Sequence, residues 1–480
     1  MKKRAYGEET PYIPAGPFKV RVIGLHYRFE WPEYVQGLLM CSVCLGAIPL
    51  IQTALPDMPA NTALAIVILN GFLYLWHTAL GDPVVPGWIT PAIPLLTAYV
   101  LTFDTEATRI QGLVAFEILL GLFAIFLGVT GLAGKLVGFI PAPIKSGIIL
   151  GAGVAAITSI FKEGGKFETM PTTITICLVI TFFLMFSTSF NKAKDKNKVL
   201  GFIANLGILP SILLAIIIAP LVGEGVIGDI NWGLSTPDFA NLWNSYTCWG
   251  ANGPGWPPVS MFIKAIPTVI SIYVVLFGDI VQSKALVADA ASYRPDEKMD
   301  YNPNRAHLIF GVRNTIMGFI GPDVCMCGPL WAAMQVVVCE RYKKGPKAVA
   351  SMYGGAASFR LGTFTGYWVG PIVSLVTPIL NVAMAQTLIV QGFVSCRIGI
   401  QQANSFTDLG IAGVIAGLIV CRSAAVGLFA GIAITFVIYG KNFLKGDTDF
   451  GHLWSPQVEA MNEAENSLDT AKNKEPVAAK

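Results

Sequence analysis

The residues with the most chemistry to offer stand in Phe277–Gly278–Asp279–Ile280–Val281–Gln282–Ser283–Lys284, a polar insert in a stretch otherwise apolar enough for a membrane helix. A carboxylate persists in hydrocarbon where it faces a water-filled cavity, a counter-charge or a bound cation, so an intramembrane aspartate marks a functional site. At helical spacing Asp279, Gln282 and Ser283 share one face, and Lys284 lies roughly 140° round the axis and nearer the helix end. That face is expected to look inward, with Asp279 the candidate site for a coupling ion, H+ or Na+. Lys284 is expected to snorkel toward the cytoplasmic surface in preference to pairing with Asp279.

Two other stretches interrupt apolar runs at matching places in the two halves of the chain. They are Gly81–Asp82–Pro83–Val84–Val85–Pro86–Gly87–Trp88–Ile89–Thr90–Pro91 and Gly321–Pro322–Asp323–Val324–Cys325–Met326–Cys327–Gly328–Pro329. Proline and glycine stop the hydrogen-bond ladder part-way, so a short extended piece runs into a half-helix whose first N–H groups lack partners. At membrane depth such groups must line a cavity or meet a ligand. Two half-helices aiming their positive ends at one cavity favour an anionic or acceptor-rich solute. Paired breaks of this kind point to a transporter's central site. The candidate solute-lining residues are Trp88 and Thr90 in the first break and Cys325, Met326 and Cys327 in the second, with Cys44 and Gln282 beside them.

Composition dictates what must position these residues. Of 480 residues 54% are hydrophobic and 13% charged, about half the charge of a soluble protein, and the mean hydropathy is +0.60. An all-α polytopic membrane protein follows. A net charge of +3 is too small to argue for nucleic acid. Nine cysteines lie mostly within apolar runs and read as buried thiols, Cys41–Ser42–Val43–Cys44 included. Met1–Lys2–Lys3–Arg4 is not followed by the apolar core of a signal peptide.

Apolar runs suited to bilayer crossings begin near Trp31 and recur near 62–80, 84–103, 111–132, 136–161, 171–190 and 200–222. After a polar stretch over 223–258 they resume near 259–290, 306–321, 322–339, 347–368, 370–394, 406–421 and 423–443. The expected organisation is a cytoplasmic lead-in (1–30), a first set of seven spans (31–222), an outer loop (223–258), a second set of seven (259–443) and a polar cytoplasmic tail (444–480). Lys192, Lys194, Lys196 and Lys198, then Arg341, Lys343, Lys344 and Lys347, fall in loops on one side, whereas Asp57, Asp104, Glu106 and Glu224 fall on the other. The positive-inside rule then puts both termini in the cytoplasm, in a cell or inner membrane. Arg422 is the exception, left near the outer face. Trp232, Trp243 and Trp249 of the outer loop are expected at the membrane interface.

Gln36–Gly37–Leu38–Leu39–Met40 with Pro49 beyond, the Asp82-to-Thr97 segment, Phe139-to-Gly153, and Phe277-to-Asp289 followed by Gly311-to-Gly328 together resemble the nucleobase–ascorbate (xanthine/uracil permease) transporters. The second half is also similar to the related sulfate/bicarbonate permeases, notably at Val287–Ala288–Asp289 and Gly318–Phe319–Ile320–Gly321–Pro322. The resemblance implies a seven-plus-seven inverted repeat with broken third and tenth spans, a core domain bearing the site, a gate domain, elevator-like motion and a homodimer. It also implies ion-coupled symport of a small solute such as a nucleobase, with Asp279 at the acidic position of the eighth span. Two departures matter. Gly37 stands where the nucleobase transporters commonly have His, and Cys325, Met326 and Cys327 stand where they have an acidic residue and Asn. Those side chains cannot make charge-assisted bonds to a base, which favours the alternative of a small organic or inorganic anion.

Four other charges fall in or beside apolar runs. Glu117 and Arg360 read either as gate or dimer contacts or as helix-boundary charges, Arg313–Asn314 as neighbours of the second break, and Lys145 as part of the cytoplasmic vestibule. No nucleophile elbow, zinc-spaced histidines or phosphate-cradling loop is present. No enzyme and no cofactor beyond a coupling ion is expected. A secondary transporter therefore stands first, ahead of a channel-like anion pathway and a membrane scaffold.

Overall fold

Within a bilayer only a helix satisfies every backbone N–H and C=O inside a single run, so uninterrupted apolar runs become helices. The structure, a computed structural model, describes residues 4–89, 92–194, 196–225 and 229–443. Thr90 and the 444–480 tail lie outside the described residues. The first half holds α1 (Trp31–Leu45), α2 (Ala60–Ala79), α3 (Ile93–Val100), α4 (Glu106–Val129), α5 (Ala142–Phe161), α6 (Pro171–Phe186) and α7 (Leu209–Leu221). The second holds α8 (Val259–Ser292), α9 (Pro303–Ile320), α10 (Ala332–Lys343), α11 (Met352–Gly366), α12 (Leu380–Gln401), α13 (Phe406–Cys421) and α14 (Ala424–Tyr439).

Among the described residues six helical stretches are long and apolar enough to cross a membrane alone, those built on α1, α2, α4, α5, α8 and α12. Helix α6 with Thr188–Lys194, and Lys198–Ala204 with α7, form two bent pairs. The stretches around α3 and α10 are interrupted, and α9, α11, α13 and α14 are shorter or more polar. This is an all-α polytopic membrane protein. Its packing repeats with a shift of seven helices: α4 lies along α9 as α11 lies against α2, and α1 lies along α11 as α8 lies against α4. Likewise α5 packs on α13 as α12 packs on α6, and α5 and α12 pack on each other. Pairings preserved under that exchange are the mark of an inverted repeat.

Two apolar runs are divided where the sequence pattern joins them. Run 136–161 splits into Leu132–Phe139 and α5 at Pro141, and run 370–394 splits into Gly370–Val376, a 3-10 turn and α12 at Pro378. In each case proline removes the N–H that would continue the ladder and opens the next helix instead. The lead-in is also more than a tether. Strand β1 (Glu8–Glu9) pairs in parallel with β4 (Glu297–Lys298), and β2 (Ile13–Ala15) pairs with β3 (Phe18–Val20). The Lys19 and Arg21 N–H groups donate to Leu80 O at 3.1 Å and Ala79 O at 2.8 Å, closing the carbonyl end of α2. The Arg21 guanidinium lies 3.8 Å from the centre of the Tyr353 ring. In the stretch that follows α7, Leu234 bridges Val369, and Trp232, Trp243 and Trp249 are 82%, 48% and 52% exposed.

Gly37 is explained by packing. A Cβ built there would lie 2.1 Å from Phe359 O, and one at Gly362 would lie 2.1 Å from Tyr34 O, so α1 and α11 cross backbone to backbone. Nothing lies within 4 Å of a Cβ at Gly410 on α13. Gly37→Val is therefore expected to cost about 3 kcal/mol or more and Gly410→Val almost nothing, as read by thermal unfolding of the purified protein.

Candidate functional site

The two breaks meet. Gly87 and Gly328 form an antiparallel bridge, with Gly87 N–H donating to Gly328 O at 3.3 Å and Gly328 N–H to Gly87 O at 2.6 Å. Trp331 N–H donates to Val85 O at 2.6 Å. Gln335 of α10 accepts from Val85 N–H at 2.7 Å through Oε1 and donates to Pro83 O at 3.3 Å through Nε2. Glycine is required at the crossing, since a Cβ on Gly87 would lie 2.6 Å from Trp331 Cβ and one on Gly328 would lie 2.9 Å from Ile89 Cγ1. The expectation that the broken backbone depends on a cavity or a ligand is thus corrected in part: each break supplies the other's partners, which meets the same requirement.

The second break is held by a polar cluster. Asn70 of α2 donates to Asp323 Oδ2 and accepts from the Cys327 thiol. Asp323 Oδ1 accepts from Cys325 N–H at 2.8 Å. Asn314 of α9 donates to Cys327 O at 2.8 Å and accepts from Cys327 N–H at 3.0 Å. Glu117 of α4 accepts from Asp323 N–H at 3.2 Å through Oε1, while its Oε2 has no partner among the described residues. Met326, with φ of 50°, takes a left-handed conformation that costs a side-chain-bearing residue of order 1–3 kcal/mol. So many bonds around one turn hold it there.

Beside this cluster lie two arginines, Arg313 of α9 and Arg360 of α11, which are 0% and 1% exposed. Arg313 Nη1 lies 2.7 Å from His77 Nε2, and His77 Nδ1 lies 3.1 Å from Asp82 Oδ2. A guanidinium can only donate, so His77 Nε2 accepts and Nδ1 carries the proton given to Asp82. Asp82, in the first break, thereby acts as counter-ion to Arg313 through a neutral histidine. Arg360 has no such chain. Its guanidinium lies over Tyr74 at 4.2 Å and over Trp331 at 4.9 Å, and Nη1 reaches Cys44 Sγ at 4.0 Å. Arg313 lies over the same Tyr74 ring at 4.3 Å. Nε and Nη2 of both arginines have no hydrogen-bond partner among the described residues.

The structure brings some of the expected residues together and separates others. Cys325, Met326 and Cys327 are fully buried in the second break, and Cys44 is buried beside Arg360. Trp88 is half-buried in the first break. Gln282 of α8 donates through Nε2 to Ser395 of α12 at 2.9 Å. Asp279 is half-buried on an unbroken α8, and no hydrogen bond or ion pair engages it among the described residues. Lys284 is exposed. Glu117 and Arg360 are neither boundary charges nor at a free surface but fully buried against the breaks, while Arg313 and Asn314 stand beside the second one as their spacing suggests. Asn70, His77 and Tyr74 were not singled out by sequence. The available signal was three polar or aromatic residues at 70, 74 and 77, which share one face of α2.

No family model and no curated protein matches the chain. Among solved structures it is similar to SLC26A9, with 16% identity over 85% of this chain and a TM-score of 0.47. The chain spans about 65% of the length of that protein. It is also similar to the transmembrane domain of the cyanobacterium bicarbonate transporter BicA, with 14% identity, a TM-score of 0.43, and coverage of 84% of this chain and 97% of that one.

Gln335 is the side chain on which both breaks depend. Gln335→Leu leaves the Val85 N–H buried without an acceptor and is expected to lower stability by about 1–3 kcal/mol, measured as the shift in thermal unfolding of the purified protein.

Proposed function

We propose that the chain is a secondary transporter of a small anion, bound where the two broken spans meet and contacted by Arg360 and Arg313. The observation that carries this reading is Arg360, a fully buried guanidinium with two unpartnered donor nitrogens and no carboxylate within ion-pair distance among the described residues. A buried cation left unpaired is costly, and an anionic solute would relieve that cost through charge-assisted bonds. Trp331, over which Arg360 lies, is the residue that caps α10. The positive end of that half-helix therefore adds to the same field.

Asp279 is the candidate coupling residue. A carboxylate on an intact helix, half-buried and with no side-chain partner among the described residues, can take up H+ or Na+ without disturbing the hydrogen bonds of the breaks. A nucleobase is the second reading. Asp323, Asn70 and Asn314 have the edge chemistry for a base, but both Asp323 oxygens and the Asn314 amide are occupied in holding the second break. The anion therefore stands first. In this reading α1–α4 with α8–α11 carry the site past the remaining helices, in an inner membrane, with the lysine-rich loops in the cytoplasm and two copies forming a dimer.

Uptake into proteoliposomes tests the reading. Chloride, bicarbonate, sulfate, small carboxylates, uracil and xanthine are offered under an imposed H+ or Na+ gradient, and saturable uptake of an anion is expected. Arg360→Gln should weaken its binding by about tenfold to a hundredfold, the loss of one charge-assisted pair. Saturable uptake of uracil or xanthine that no anion competes with would overturn the assignment. Asp279→Asn should abolish gradient-driven accumulation while leaving downhill exchange, and unchanged accumulation would remove Asp279 from coupling.

A further inference from the structure

A second cavity lies at the start of α1. It encloses about 260 Å³ between the approach to α1, the helix Lys198–Asn205 and the end of α10, and Arg28, Trp31, Phe202, Arg341 and Lys347 are among its lining residues. That is slightly below the volume of a drug-sized pocket and suits a compact polar group. Its chemistry divides in two. On the outer side Trp31 and Phe202 are 47% and 55% exposed, with ring centres 6.2 Å apart and planes 24° from parallel. Such aromatic pairs sit at the boundary between acyl chains and headgroups.

On the inner side the charge is mostly positive. Arg28 is 44% exposed while held by Glu30 at 2.7 Å, and Arg341 pairs with Glu33. Lys347 is exposed, and its ammonium has no partner among the described residues. Lys344, next along the same turn, donates to Ala204 O at 2.5 Å. Burial, with Lys194 and Arg341 close by, pushes its ammonium down to about 8, Glu340 offsetting this in part. Like charges have therefore been gathered here beyond what their carboxylates balance, and a bound anion would relieve the repulsion.

We propose that this cavity holds the phosphate-bearing headgroup of an anionic phospholipid from the cytoplasmic leaflet, with Lys347 and Arg28 on the phosphate and Trp31 and Phe202 flanking the acyl chains. Basic pockets between membrane helices on the cytoplasmic side select such headgroups. The inference is independent of the transported solute.

The full-length protein is titrated with vesicles of phosphatidylglycerol in phosphatidylcholine, with pure phosphatidylcholine vesicles, and with inorganic phosphate, following retained lipid by native mass spectrometry and thermal unfolding. Phosphatidylglycerol is expected to be retained in preference to phosphatidylcholine and to stabilise the protein. Lys347→Glu, at an exposed position that folding does not need, should weaken retention about fivefold or more. Phe202→Ala should weaken retention of lipid without changing the response to phosphate. Equal retention of the two lipids, or unchanged retention by Lys347→Glu, would overturn the proposal. Stabilisation by inorganic phosphate as large as that by phosphatidylglycerol would assign the cavity to a soluble anion and overturn the lipid.

Discussion

A polypeptide that leaves the helical ladder at membrane depth must find every N–H and C=O another partner, because hydrocarbon offers none. Here each half of the chain leaves the ladder at a proline–glycine break, over 83–89 and 321–329. The two halves resolve the problem on each other. Gly87 and Gly328 exchange bonds, Trp331 N–H donates to Val85 O, and Gln335 accepts from the Val85 N–H. The arrangement of α2, α9 and α11 around them follows from the need to bring the two together.

The same crossing explains why so much charge is buried nearby. Asn70, Asn314 and Glu117 each bond to backbone atoms or the leading carboxylate of the second break, which fixes a turn containing a left-handed methionine. Asp82 reaches Arg313 through His77 and so connects the start of the first break to the helix preceding the second. These polar groups are structural and electrostatic at once. Arg360 has its positive charge supported by aromatic faces and a thiol, with no carboxylate on it among the described residues.

Much of the architecture was legible in the residues. Long apolar runs and paired proline–glycine interruptions mark spans and breaks because both follow from local backbone chemistry. Helix α13 begins and ends where its apolar run does. The site was less legible. Asp279 stands out because a carboxylate in a long apolar run is conspicuous, whereas Arg313 and Arg360 lie in short stretches of mixed polarity that also read as helix ends. What buries them is contact with helices from the opposite half, over separations such as the 236 residues between Arg313 and His77. No pattern within a single window contains that information. The partner of Gln282 was hidden for a related reason: a helix face is readable, but which neighbour it meets is not, and here Gln282 donates to Ser395.

The N-terminal strap has a consequence for how the chain matures. Strand β1 pairs with β4 at Glu297–Lys298, and Arg21 stacks on Tyr353. At about 5–20 residues per second, residues 8–9 leave the ribosome roughly a quarter of a minute to a minute before their partners exist. Throughout that interval the carbonyl end of α2 can be capped by Lys19 and Arg21, but the clasp over the second half cannot close. The strap is therefore synthesised well before the segments it locks onto. Its docking reports that the chain as far as Tyr353 is in register with the first half, so an accessible strap would mark a chain in which the second half has not yet met the first.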